Sequence, residues 1–362
     1  MLKWIIFSVF IPLSVAFAEQ SIDVPRISFS GDGETKVLSS VPGQFLFQGD
    51  VAKFFVVKSA EKLCGLQKGS FIQKFNQNLR ELLQNEISPL LESLDPAWKD
   101  KVARQNLTVI LDDFGADRFV NWSFYKADFP NNGEATIFLD CHPLTQTFYR
   151  SILAHELTHA VLYGRKIEMW FQESLAQLLE TEAGGVRPAA NVLKGLSESP
   201  VTPALLVDRV LKNSGEYAVT FLFGKLIFQK ESHRGGWNLV KDFLAQEDLV
   251  NHERAGLLER LAKFIQTTPA DLLRDFAESL ILGPQASLSI RLKDWKGFVN
   301  FKEILSVKNL AGGAFILVKD DSVNMKINPL LEKINIMSIA QTKAVIILNA
   351  TESELPVLIN EK

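Results

Sequence analysis

The spacing of apolar residues changes along this chain, and each change predicts a different element. Residues 22–60 alternate or run apolar between turns that contain glycine and proline, which predicts β-strands. From Phe71 to Leu94 the apolar side chains instead recur on one helical face, and Asp95-Pro96 is expected to end that helix. The chain is therefore predicted to begin with a β-rich segment that leads into a long core helix.

Short strands and then helices are predicted in the middle of the chain. The strands lie within NLTVILDDF, FVNWSFYKADF and EATIFLD. A helix should begin near Thr145–Thr147 and stop at Gly164. Thr268 has the position of an N-cap, with Pro269 at the first helical residue. The other predicted helices are 168–180, 203–213, 215–231, 237–246, 253–266 and 269–282.

These patterns predict an α+β protein made of several segments. Beyond Gly283-Pro284 strand-like sequences return, as in AFILVK and KAVIILN. The expected segments are a signal peptide (1–18), a β-rich N-terminal segment (19–62), a central domain (63–283) and a small β-rich C-terminal domain (284–362).

The first residues, MLKWIIFSVFIPLSVAFAEQ, have the pattern of a cleaved signal peptide. One lysine precedes an apolar run of secretory length, and Ala16-Phe17-Ala18 favours cleavage after Ala18. The alternative is an uncleaved membrane anchor, for which the run is slightly short. We therefore expect a secreted or periplasmic protein without a transmembrane segment once the signal is removed.

The cysteines and the charge balance narrow the class of protein further. Outside the cytoplasm, the pair Cys64 and Cys141 favours one disulfide, with two buried free thiols as the alternative. Such a bridge would tie the helix after Cys64 to the strand before the HELTH helix, which favours residues 19–60 as part of the fold over a removable pro-segment. The 39 basic and 42 acidic residues are nearly balanced, which argues against a nucleic-acid-binding protein.

The sequence HELTH places two of the five histidines, His155 and His159, one helical turn apart. Both imidazoles can therefore point at one Zn²⁺ ion, while Glu156 is turned about 100° round the helix and can reach an attacking water. The surrounding residues are apolar or small, so buried histidines there would need partners.

A catalytic zinc takes three protein ligands and keeps one position open. Glu173 is the favoured third ligand, because it interrupts the aromatic end of the apolar stripe in EMWFQESLAQLLE. A surface role for this carboxylate is the alternative. The competing ligands are the three remaining histidines, His142, His233 and His252.

HELTH followed by WFQESLA resembles the gluzincin zinc metallopeptidases, most closely the peptidase MA-like branch. The similarity covers roughly residues 105–280. It implies a thermolysin-like zincin core, a small mixed sheet plus helices, with β-rich segments at both ends. It also implies about one zinc ion per chain, held by His155, His159 and Glu173, with Glu156 as general base.

The resemblance also assigns roles to residues outside the metal ligands. Tyr217 matches a tyrosine that hydrogen-bonds the developing oxyanion, although it could equally cap a core helix. EATIFLD matches the edge strand that binds an extended peptide. Ser174 stands where the branch often has glycine. Gln177 stands where a carboxylate often orients a histidine ligand, which predicts weaker metal binding.

The sequence favours a secreted or periplasmic zinc peptidase that acts on a protein, a peptide or a cell-wall peptide. The alternative from another class is a non-catalytic binding module with a gluzincin fold and a structural zinc. Glu156 argues against that alternative, because a structural zinc does not require a general base. A helix without any metal is the least favoured interpretation.

Overall fold

The computed structural model describes most of residues 21–282 and eight short strands after them. The described residues are 21–29, 35–49, 51–60, 77–78, 80–112, 123–126, 135–140, 146–195, 205–206, 211, 213–229, 236–246, 256–282, 298–299, 309–310, 315–319, 326–327, 334–339, 344–349, 355–356 and 359–360. The predicted signal peptide, both cysteines with their disulfide, and the predicted boundary at Gly283-Pro284 lie outside them.

The main sheet is mixed and has six strands in the described part of the chain. They are β1 (Ser21–Phe29), β2 (Thr35–Gln48), β3 (Lys53–Val57), β4 (Thr108–Asp112), β5 (Ser123–Lys126) and β6 (Thr136–Asp140). Their order is β1-β2-β3-β4-β6-β5, with β4 parallel to both β3 and β6 and the other pairs antiparallel. Every residue of β4 and β6 is buried, as expected for central strands whose sequences run continuously apolar.

This strand order corrects one prediction and bears on another. EATIFLD was expected to form the edge strand, but its strand β6 lies between β4 and β5, so β5 is the outer strand. The edge position was expected from the resemblance alone, since the pattern of side chains along a strand does not reveal its neighbours. Strands β3 and β4 come from opposite sides of residue 62 and are paired, so strands β1, β2 and β3 of the N-terminal segment are part of the main sheet.

Nine α-helices are described. They are α1 (Ser88–Leu94), α2 (Trp98–Ala103), α3 (Gln146–Leu162), α4 (Met169–Glu182), α5 (Arg187–Gly195), α6 (Ser214–Gln229), α7 (Trp237–Leu244), α8 (Leu257–Phe264) and α9 (Pro269–Leu282). The α+β class is therefore confirmed. None of the described helices is long and apolar enough to span a membrane.

The ends of two helices follow the predicted signals. Gly164, with φ of 79°, follows the end of α3, where a left-handed residue is needed and glycine adopts it freely. The hydroxyl of Thr268 accepts a hydrogen bond from the backbone N–H of Asp271 at 3.1 Å, which caps α9. At both places the hydrophobic pattern and the capping residue indicate the same helix boundary.

The helix predictions were wrong in four places. Leu205, Leu206 and Leu211 are not helical, although helix 203–213 was expected. A π-helical turn at Leu83–Ile87 interrupts the long core helix just before Pro89, which has no N–H to continue the regular ladder. Helices α2 and α5 were not predicted, and α5 proves to be important for the site.

The described residues after 282 all lie in β-strands. These strands are β7 (Phe298–Val299), β8 (Asn309–Leu310), β9 (Phe315–Lys319), β10 (Lys326–Ile327), β11 (Ile334–Ile339), β12 (Ala344–Asn349), β13 (Leu355–Pro356) and β14 (Ile359–Asn360). One sheet has the order β11-β12-β9-β7, and β10-β14 and β13-β8 form separate pairs.

Helices α4 and α6 meet at Ser174 and Gly224. A Cβ atom at Gly224 would lie 2.7 Å from the Cβ of Ser174, so only glycine fits there. The Ser174 hydroxyl donates to the backbone oxygens of Trp170 at 2.8 Å and Thr220 at 2.7 Å. Ser174 is thus accommodated by a glycine on the facing helix.

Gly224→Ala should therefore lower the free energy of unfolding by about 1–2 kcal/mol. The overpacking cost of about 1–3 kcal/mol exceeds the helix-propensity gain of up to about 1 kcal/mol. Chemical denaturation measures the change. In Ser174→Gly/Gly224→Ala the clash is relieved, so the double variant should lose less than the sum of the two single variants. A Gly224→Ala protein more stable than wild type would contradict this close contact.

Candidate metal centre

Helices α3 and α4 pack against each other and bring the predicted metal ligands together. His155 and His159 lie on α3, and Glu173 lies on α4; their side chains are 4%, 10% and 8% exposed. Within the described residues these three form the one group of histidine, cysteine or acidic residues arranged to hold a metal ion. The predicted spacing has therefore produced a convergent, buried set of donors.

The distances within this group fit a metal ion better than direct hydrogen bonds. The Nε2 atoms of His155 and His159 lie 3.4 Å and 3.6 Å from the two carboxylate oxygens of Glu173. Ligand atoms about 2.1 Å from a tetrahedral zinc lie roughly 3.4 Å from one another. Oxygen Oε2 of Glu173 is buried and has no hydrogen-bond donor among the described residues, which is costly for a carboxylate unless a cation is bound.

The charges in the site also favour a cation. Burial and the charge of Arg187 act to lower the pKa of His155, but the nearby carboxylates of Glu173, Glu180 and Glu156 raise it to about 9. Burial, as the largest effect, lowers the pKa of His159. Burial alone would raise the pKa of Glu173, yet the two histidines hold it below its usual value. The carboxylates thus stabilise positive charge between them, which a divalent ion supplies.

Glu180 lies beside His155, on the side of the ring away from Glu173. It follows Glu173 by two turns of α4 and is fully buried. Its Oε2 lies 3.0 Å from Nδ1 of His155, although the N–H bond is not aligned on the oxygen. Carboxylates in this place orient metal-binding histidines and fix their tautomer.

The role predicted for Gln177 is therefore wrong. Its amide nitrogen donates to the backbone oxygen of Glu173 at 3.3 Å and to the hydroxyl of Thr220 at 3.2 Å. These bonds turn the side chain towards α6 rather than towards His155. Because Glu180 takes the position beside the histidine, the site does not lack the carboxylate that Gln177 was expected to replace.

Arg187 completes the surroundings of Glu180. Its Nε donates to Oε1 of Glu180 at 2.9 Å, and its Nη2 donates to Oε2 at 2.6 Å. Burial would raise the pKa of Glu180, but Arg187 and then His155 lower it, so the carboxylate stays ionised. Sequence reasoning missed both Glu180 and Arg187. The signal that could have found Arg187 is Pro188, which is favoured in the first turn of a helix.

A tight turn after α4 places Arg187 at the start of α5. Gly184 has φ of 86°, and the N–H groups of Gly184 and Gly185 donate to the backbone oxygens of Thr181 and Glu180. A Cβ atom at Gly185 would lie 2.6 Å from Cγ of Glu180. The Gly184-Gly185 pair thus lets the chain turn directly over Glu180.

The two predicted catalytic residues also belong to the site. Glu156 is buried, and its charge acts on both histidines and on Arg187. Tyr217 lies on α6, where burial and the carboxylate of Glu173 raise its pKa well above the usual value. Tyr217 therefore keeps its proton and can act as a hydrogen-bond donor.

Glu168 fixes the beginning of α4. Its buried carboxylate accepts hydrogen bonds from Nε1 of Trp170 at 2.5 Å and from the backbone N–H of Leu257 at 3.0 Å. The first bond joins Glu168, the residue before α4, to the first turn of that helix, and the second reaches the first residue of α8. Glu173, one turn further along α4, is consequently carried on a helix whose start is anchored to its neighbour.

The other candidate ligands from the sequence cannot be placed. His142, His233 and His252 lie outside the described residues. The structure thus brings together His155, Glu156, His159, Glu173 and Tyr217 and adds the pair Glu180 and Arg187.

Comparison with known proteins gives a distant structural likeness. No family model matches the chain, and no curated protein matches its sequence. Among solved structures, native yeast LTA4 hydrolase is similar with a TM-score of 0.33 and 13% sequence identity. The similarity covers 75% of this chain but only 43% of that protein, so this chain spans less than half its length.

Proposed function

We propose that this protein is a zinc-dependent peptidase of the gluzincin type, with a thermolysin-like core. The observation that carries the proposal is the buried convergence of His155, His159 and Glu173 beside Glu156. Two imidazoles and a carboxylate are a ligand set of catalytic zinc sites, which leave one position for water or substrate. A purely structural zinc does not require a buried glutamate such as Glu156 next to its ligands.

The residues around the ligands supply the chemistry of peptide hydrolysis. When bound, zinc supplies Lewis acidity that polarises the scissile carbonyl and acidifies the attacking water. Glu156 accepts the proton of that water and later donates it to the leaving amine. Tyr217, still protonated, donates a hydrogen bond to the oxyanion that develops on the substrate.

The proposed substrate is a peptide or protein, including a peptide of the cell wall, outside the cytoplasm. Strand β5 supports an extended peptide as the substrate, because it is an outer strand of the main sheet among the described strands and lies against α3, the helix of the histidines. An outer strand offers unpaired backbone groups to which an extended peptide can add as a further strand. The secreted or periplasmic location rests on the predicted signal peptide.

Tyr217→Phe should lower kcat by about 100-fold while zinc content stays at the wild-type level. Removal of one oxyanion donor typically costs this much, and the phenyl ring retains the packing of the tyrosine. Steady-state kinetics with a cleavable peptide and metal analysis of the same sample measure both quantities. Wild-type kcat in this variant would show that Tyr217 only packs in the core.

The function itself is tested by turnover of a peptide library with and without a chelator. We expect cleavage by the wild-type protein, loss of cleavage after zinc removal, and recovery when zinc is added back. A protein that binds zinc tightly but cleaves no peptide would instead support the non-catalytic binding module.

A further inference from the structure

The carboxylate of Glu180 is contacted from two sides by nitrogen atoms, those of His155 and those of Arg187. On one side its Oε2 faces Nδ1 of His155 at 3.0 Å. On the other side Arg187 donates to both of its oxygens, through Nε at 2.9 Å and Nη2 at 2.6 Å. The same oxygen, Oε2, therefore contacts both the histidine and the arginine.

We propose that Arg187 is a positioning residue of the zinc site that acts through Glu180 and His155. This role presupposes the zinc site proposed above. The planar guanidinium binds a carboxylate at two points and so fixes the rotation of Glu180 as well as its distance. A Glu180 fixed in this way keeps an acceptor 3.0 Å from Nδ1 of His155, which favours the tautomer that carries its proton on Nδ1 and leaves the lone pair of Nε2 for the metal.

The path of the chain supports this role. The carboxylate of Glu180 has no exposure to water, so the arginine takes the place of the solvent that would otherwise solvate it. Gly185 packs so closely on Glu180 that a Cβ atom there would meet both its side chain and its backbone. The turn between α4 and α5 thus packs against Glu180 and also places Arg187 beside its carboxylate.

A purely structural salt bridge would behave differently. The pair Arg165–Asp95 offers a matched control, because it is also largely buried, with side chains 14% and 10% exposed, and its closest atoms are 2.8 Å apart. Arg165 also donates to the backbone oxygen of Leu244. Neither Arg165 nor Asp95 belongs to the histidine–glutamate group of the site.

The test compares the zinc affinities of four full-length proteins by competition with a chromophoric chelator. Arg187→Gln should weaken zinc binding by about 10- to 100-fold, the loss typical of residues that orient a metal ligand. Arg187→Lys keeps the charge but not the two-point contact, so its affinity should fall between those of Arg187→Gln and the wild type. The control Arg165→Gln should lower Tm and leave zinc affinity unchanged.

Two further readouts separate positioning from folding. The visible spectrum of the cobalt-loaded protein should change in Arg187→Gln, because a turned His155 alters the ligand field. Glu180→Gln/Arg187→Gln should bind zinc no more weakly than Glu180→Gln alone, since both changes break one path. Additive losses in the double variant would overturn the proposal.

The outcomes also distinguish this role from the proposed function. Wild-type zinc affinity in Arg187→Gln, or an equal loss in Arg165→Gln, would overturn the positioning role and leave the peptidase intact. If Arg187→Gln does not fold, Arg187→Lys decides, and wild-type affinity in that variant overturns the role. A wild-type protein that binds no zinc would refute the proposed function itself.

Discussion

Glu156→Gln is expected to lower peptide hydrolysis by about two to four orders of magnitude while about one zinc ion per chain stays bound. Glutamine keeps the size of the side chain and the helix but cannot accept the proton of the attacking water. Because Glu156 is assigned as a base and not as a ligand, the three metal donors remain in place. Turnover and zinc content should be measured on the same preparation.

Either of two outcomes would contradict the prediction for Glu156→Gln. Loss of zinc in Glu156→Gln would mean that this carboxylate binds or orients the metal. Wild-type turnover would mean that no general base is needed at this position, which would refute the proposed mechanism.

Glu173→Gln should instead lower zinc affinity and activity together. The change removes the negative charge that draws zinc to the two histidines, and an amide is a weaker ligand than a carboxylate. The loss of affinity should exceed about 100-fold, since a direct ligand matters more than the residues that orient it. Chelator competition measures the affinity, and excess zinc should restore part of the activity.

Glu182→Gln is the matched control for this change. Glu182 lies on the same helix, α4, but is exposed and bonds to Nε1 of Trp237 at 2.8 Å. This variant should bind zinc like the wild type. Full zinc affinity in Glu173→Gln would show that another residue is the third ligand.

The ligands on one helix could be predicted because helical geometry depends only on sequence spacing. Two histidines four residues apart must share a face of α3 wherever that helix packs. Glu173 could also be predicted as a ligand, because a carboxylate that interrupts an apolar stripe needs a compensating partner. The helix end near Gly164 and the helix start at Thr268 could also be predicted, because capping depends on a few neighbouring residues of the chain.

The residues that act from neighbouring elements were not predictable in the same way. Glu180 looks like the end of a helix in the sequence, and its contact with His155 depends on how α3 and α4 pack. Arg187 reaches the site only because the Gly184-Gly185 turn reverses the chain over Glu180. The order of β5 and β6 likewise depends on pairing between distant segments of the chain. The pattern of apolar residues within one strand carries no information about that pairing.

X-ray absorption at the zinc edge of the purified wild-type protein tests the assigned ligands most directly. We expect nitrogen and oxygen neighbours at about 2.0–2.2 Å, with the scattering signature of two imidazoles and no sulfur. A third imidazole would bring in His142, His233 or His252 in place of Glu173. A sulfur shell at about 2.3 Å, or a shell of oxygen alone, would contradict a site built from His155, His159 and Glu173.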